Sequence, residues 1–190
     1  MKKILALTTV LLLSATTTQT FAQSQEDMQK MMDYMKPGDM HKMLAGSTGK
    51  WKEEMTMWTA PGVEPMKMEI TCEMKMILNG MYLEAVSSGN FGGMPFEGRN
   101  VVGYDNIRKI FQSTWVDNMG SGITYFEGPY DEATKTVTFA GKMVEPSEGR
   151  EIEVKETMQF VDENTQVMTM YKIADGKEVK MMQIKLTRQS

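Results

Sequence analysis

Residues 66–78, Met-Lys-Met-Glu-Ile-Thr-Cys-Glu-Met-Lys-Met-Ile-Leu, decide the fold. Met66, Met68, Ile70, Cys72, Met74, Met76 and Leu78 fall on one face. Lys67, Glu69, Thr71, Glu73 and Lys75 fall on the other. Successive side chains of a strand point to opposite sides, so this period of two predicts a strand with one buried and one wet face. Asn79-Gly80 follows, the pair best suited to the positive φ angles of a two-residue hairpin turn. Met81–Ser87 is then the return strand.

The same period extends outward in both directions. It predicts strands near 50–59, 95–104, 109–117, 121–128, 135–144, 150–161, 165–174 and 177–187. Turn chemistry separates them: Tyr104-Asp105-Asn106, Asp131–Lys135, Asp162-Glu163-Asn164 and Asp175-Gly176. About ten antiparallel strands joined by short turns form a meander, whose bare edges must be covered. The expected architecture is therefore mainly β: an up-and-down barrel, or a strongly curved half-barrel. Before the strands, Met28, Met31, Met32 and Met35 recur at helical spacing, and Lys36-Pro37-Gly38 breaks the run. Asp39 is positioned to cap a second short helix through Ala45. The expected organisation is a signal peptide over 1–22, a helical segment over 23–48 and one barrel domain over 49–190.

The N-terminus carries an address. Lys2-Lys3 precedes the apolar run Ile4–Leu13, and Thr20-Phe21-Ala22 places small residues before a cleavage site. This predicts a periplasmic or secreted protein whose mature chain begins at Gln23. The apolar run is too short to span a bilayer, and no Cys follows the site to take a lipid. Removing residues 1–22 leaves 168 of the 190, enough for one sizeable core, and takes the net charge from −4 to −6. The basic residues are not clustered, so neither nucleic acid nor an anionic membrane surface is an expected partner. A single cysteine, Cys72, excludes an internal disulfide, and without a Cys/His cluster zinc has no support.

Trp51 opens the first strand and Arg188 closes the last. In a closed barrel these strands are neighbours, which would lay Arg188 over the Trp51 indole, a contact worth roughly 0.5–2 kcal/mol. This is a structural plug. His41, the sole histidine, is a candidate base or haem ligand by its near-neutral pKa. The 22 methionines include Met-x-Met pairs at 55/57, 66/68, 74/76 and 168/170. Thioethers select Cu(I), but a pair on one strand has its sulfurs about 7 Å apart and needs a neighbouring strand to close a site. Alternating with Lys and Glu, these methionines also read as core. Residues 96–120 concentrate Tyr104, Trp115 and Asp117, with Met119 beside them, as candidates to orient a ligand. Trp115 and Asp117 share a face. Tyr104 belongs to the far end of their hairpin, so a Tyr–Asp acid/base pair is not expected.

His41-x-x-Leu44-x-x-x-x-Gly49-x-Trp51, Pro95-Phe96-x-Gly98, Gly103-Tyr104-Asp105-Asn106, Thr114-Trp115-x-Asp117-x-Met119-Gly120 and Thr187-Arg188 together resemble the DUF1579 family. The resemblance implies a calycin-type barrel akin to lipocalins and fatty-acid-binding proteins, and no reaction. His41, Trp51, Tyr104, Asp105, Trp115 and Asp117 are the positions that match it, with Asp105 taken as structural. Three functions follow as expectations. The first is binding of a small apolar or amphipathic molecule inside the barrel. The second is copper or haem binding through methionine or His41. The third is a hydrolase or isomerase using Asp117 or His41, for which the sequence supplies no nucleophile–base pair and no catalytic assignment.

Overall fold

Eleven strands follow two short helices in the described residues, 25–60 and 62–190, of the structure, a computed structural model. The signal peptide expected over 1–22 lies outside them. Helix α1 covers 25–34, and helix α2 covers Asp39–Ala45. The strands are β1 (Gly49–Met57), β2 (Met66–Ile77), β3 (Tyr82–Phe91), β4 (Met94–Asp105), β5 (Ile110–Asp117), β6 (Thr124–Gly128), β7 (Tyr130–Asp131), β8 (Thr136–Glu145), β9 (Arg150–Asp162), β10 (Thr165–Ala174) and β11 (Lys177–Arg188). Each pairs antiparallel with its sequence neighbour around most of the ring. β1 pairs with β11, and β6 pairs with β8 across the short β7. The result is a closed ten-stranded barrel with β7 as an extra strand, and it leaves no long edge bare.

The alternation read from residues 66–78 is the inside and outside of this barrel. Ile70, Cys72 and Met74 are buried while Thr71, Glu73 and Lys75 face solvent. Leu78 departs from the pattern and is 69% exposed. Ile77 pairs with Tyr82, so four residues bridge the strands instead of the expected two. Leu78, Asn79 and Gly80 all take positive φ, and the chain makes a short 3-10 turn there. A second departure follows Gly128. Pro129 has no N–H to donate to the ladder, which divides β6 from β7, while its carbonyl accepts the Thr138 N–H.

The helices divide between two units, Met1–Lys36 and Pro37–Ser190. The boundary falls within Lys36-Pro37-Gly38, which separates the two helices of the segment 23–48. In the first unit, α1 carries a Lys30–Glu26 ion pair at 2.7 Å. In the second, α2 covers one end of the barrel, where it buries His41 and Leu44. Its N-cap is Gly38, and Asp39 is the first helical residue, paired instead with Lys42 at 2.8 Å. Gly38 has no side chain to cap with. His41 supplies the cap in reverse, its Nδ1 accepting the Gly38 N–H at 2.9 Å.

Candidate functional site

The α2 end of the barrel is sealed by hydrogen bonds that leave little room for chemistry. Trp51 is fully buried, and its Nε1–H donates to the Ser47 carbonyl at 2.8 Å. The Arg188 guanidinium lies 4.3 Å from the Trp51 ring centre. Its N–H groups donate to the carbonyls of Gly46, Thr48 and Glu163 at 2.6, 2.5 and 3.0 Å. Gln166 reaches the buried Ser47 hydroxyl at 2.8 Å. His41 is 1% exposed and meets the Tyr104 ring edge-on at 6.0 Å. Because Nδ1 accepts a hydrogen bond, Nε2 carries the proton of the neutral ring. Desolvation holds His41 below its ordinary pKa, against a smaller opposing effect of the Tyr104 backbone. Tyr104 also packs on Phe111 at 4.9 Å, and burial pushes its phenol upward.

Trp115, Asp117 and Met119 lie at the opposite end. Tyr104 pairs with Phe111 and Gly98 with Asp117, so six residues of β5, roughly 20 Å, separate the two groups. Asp117 is fully engaged: one oxygen accepts the Trp115 Nε1–H at 2.6 Å, and the other accepts the Met119 and Gly120 backbone N–H groups at 2.8 Å. The indole fits because residue 98 is glycine, where a Cβ would come within 2.4 Å of it. Phe96 stacks alongside at 6.4 Å. Met119 itself is 43% exposed. Asp105 caps the β4–β5 turn by accepting the Ile107 and Arg108 N–H groups at 2.8 and 2.9 Å. The sequence candidates therefore form two separate structural clusters, and no single site contains them all.

Between these ends, the inward faces carry two different sets of side chains. In one, Asn100 donates to the Ser113 hydroxyl at 2.8 Å and the Thr114 carbonyl at 2.9 Å, and Ser87 is buried nearby on β3. Glu53 is 6% exposed on this side, its carboxyl pushed up by burial against opposing hydrogen bonds from Ser87 and Cys72. Burial first, and the Glu53 charge second, push the Cys72 thiol up to about 12, so it stays protonated and inert. The other set is a methionine wall. Met57, Met182 and Met170 occupy successive cross-strand positions on β1, β11 and β10, and Met55 and Met68 face each other across β1 and β2. Met158 and Met168 form a further direct pair.

Glu156 completes the row. Its register partners are Met170 and Phe139. It alternates in phase with the buried Ile152 and Val154 of β9, so it points inward. Among the described residues it makes no hydrogen bond or ion pair. Desolvation alone raises its pKa to about 7. It is nevertheless only partly buried, as are Met55, Met158, Met168, Met170 and Met182. These side chains face the barrel interior without being fully buried there. Glu156 and Glu53 were overlooked in the sequence. The signal was present: each is an acid in the apolar phase of its strand, as in Ile152-x-Val154-x-Glu156-x-Met158 and Trp51-x-Glu53-x-Met55.

At the α2 end of the barrel, a groove of about 840 Å³ lies between α2 and the β9–β10 turn, lined by Met43, Tyr130, Lys135, Phe160 and Asn164. The Gln166 amide and the Arg188 guanidinium at its floor are already hydrogen-bonded, so they offer little to a ligand. Among the described residues, no three His, Cys, Asp or Glu side chains group to hold a metal. No described helix is long and apolar enough to cross a membrane.

Comparison with curated proteins finds no match. Among solved structures, the fold is similar to the crystal structure of Rv2717c from M. tuberculosis, with a TM-score of 0.60. The two share 11% identity over 82% of this chain and 100% of the other, a likeness of fold alone. The model of DUF1579, a family of unknown function, matches residues 36–188. That span takes in α2, all eleven strands and the Trp51–Arg188 plug, and the chain belongs to the DUF1579 family.

Proposed function

We propose that the barrel binds a small apolar or amphipathic molecule in its lumen. The observation that carries this reading is the partial exposure of inward-facing methionines at mid-barrel, where a packed core would bury them. Methionine suits such a wall, since its flexible, polarisable side chain adapts to ligands of variable shape. Trp115 and Phe96 border the end opposite α2 and supply aromatic surface there. Titration with a panel of lipids and hydrophobic dyes tests the reading. Saturable displacement of dye by at least one lipid is expected, and a panel without any binder sinks it. The N-terminal sequence supports export to the periplasm or beyond. Sequencing of the mature N-terminus should begin at Gln23, and retention of Lys2 and Lys3 in the mature protein would overturn export.

A second reading is Cu(I) binding. The row Met57–Met182–Met170 brings thioethers from three adjacent strands together, which one Met-x-Met pair cannot do. Titration with Cu(I) should then saturate at one equivalent and raise the melting temperature, since a ligand that binds only the folded state stabilises it. An unchanged melting temperature, or full binding by a Met57→Leu/Met182→Leu variant, counts against it. Haem ligation or base catalysis by His41 is not favoured, because its ring is buried under α2 with Nδ1 occupied. Asp117 is held by three hydrogen bonds and lies at the other end of the barrel, so the two do not form a catalytic pair.

A further inference from the structure

The charges of the lumen are unequal, and the inequality selects a ligand. Glu156 sits deep on the methionine wall with Phe139 and Met170 beside it and no partner of its own. Glu53 is the second inward carboxyl. The inward cation at the α2 end, Arg188, is committed to three carbonyls and the Trp51 face. At the mouth, Lys172 and Arg150 both pair with Glu148. An anionic head entering this lumen meets acid without an available base. A cationic head meets an acid whose desolvation the fold already imposes, so binding adds the attraction without repeating that cost.

We propose, building on the lumen-binding reading above, that the ligand is an amphipath with a protonated amine head. Glu156 receives the ammonium group, and the apolar tail lies along Met170, Met182, Met158 and Met168. The carboxylate accepts one or two of the ammonium N–H groups, charge-assisted bonds stronger than neutral hydrogen bonds. Thioethers and Phe139 around it offer no competing donor.

Calorimetric titration of the wild-type protein at pH 8 with dodecylamine, dodecanol and dodecanoate compares three heads on one tail. The amine is expected to bind at least about tenfold more tightly than the other two. Glu156→Gln, checked for folding by circular dichroism, is expected to lose about that factor for the amine and to leave dodecanol unchanged. If the variant does not fold, the wild-type ratio of amine to dodecanoate decides. Dodecanoate binding as tightly as the amine, as a head-out pose at Lys172 and Arg150 would give, overturns the proposal. So does an amine affinity that Glu156→Gln leaves intact. Either outcome leaves lumen binding itself standing. Failure of all three to bind overturns the amine proposal, while the lipid and dye panel decides lumen binding itself.

Discussion

Replacing Glu156 by Gln should stabilise the protein above neutral pH and do nothing below about pH 4. The carboxyl has its pKa raised from 4.5 to about 7 in the folded protein, solely by desolvation. The native state therefore holds a proton that the unfolded chain gives up near 4.5. Below that value, Glu156 is protonated in both states and behaves like the amide. Between 4.5 and about 7 the unfolded state alone ionises, and wild-type stability falls by about 1.4 kcal/mol per pH unit. Above about 7 both states are ionised, and the accumulated loss is about 3 kcal/mol. Glutamine has no such loss. Urea denaturation of both proteins at pH 4, 6 and 8 should show midpoints that coincide at pH 4 and separate at 6 and 8, with the variant higher. Glu53, whose pKa is also raised, contributes equally to both proteins and cancels. A constant difference across the three pH values, or a variant weaker at pH 8, would refute the placement of Glu156 in an unpartnered apolar setting.

Arg188→Ala should cost about 2–4 kcal/mol in chemical denaturation, from the lost cation–π contact and the orphaned Gly46, Thr48 and Glu163 carbonyls. Lysine there should recover less than half, since an ammonium cannot span the same acceptors. Gly141→Ala should destabilise by about 1–3 kcal/mol or more, because its Cβ would approach Phe126 and the Tyr125 carbonyl to 2.4 and 2.5 Å at the β6–β8 seam. Asp117→Ala should release the Trp115 indole, seen as a weaker near-ultraviolet circular dichroism signal with the far-ultraviolet signal retained.

Strand alternation made the fold legible. Met66–Ile77 could only be a half-buried strand, and the Asp-containing turns fell where expected because each Asp accepts backbone N–H bonds locally, as Asp105 and Asp131 do. The site was harder to read. His41 owes its burial to α2 packing on distant strands, and no local pattern encodes that. Trp115 and Asp117 stood out by residue type, yet their mutual hydrogen bond and the turn bonds of Asp117 account for both. Glu156 was visible as an acid out of phase, but its isolation depends on which residues β8 and β10 place beside it. Register between strands is a long-range property, so a sequence shows the misplaced charge without showing whether it is answered.

The β1–β11 pairing joins the first strand of the barrel to the last, with Trp51 opposite Arg188. Most other contacts are between hairpin neighbours and can form as the chain emerges. Ring closure must wait for the twelve residues of β11, Lys177–Arg188. Until then β1 and β10 are open edges flanking an uncovered methionine wall, the kind of surface that templates aggregation. A chain that ends before β11 thus keeps two open edges, and synthesis of the last strand turns an open ribbon into a closed barrel.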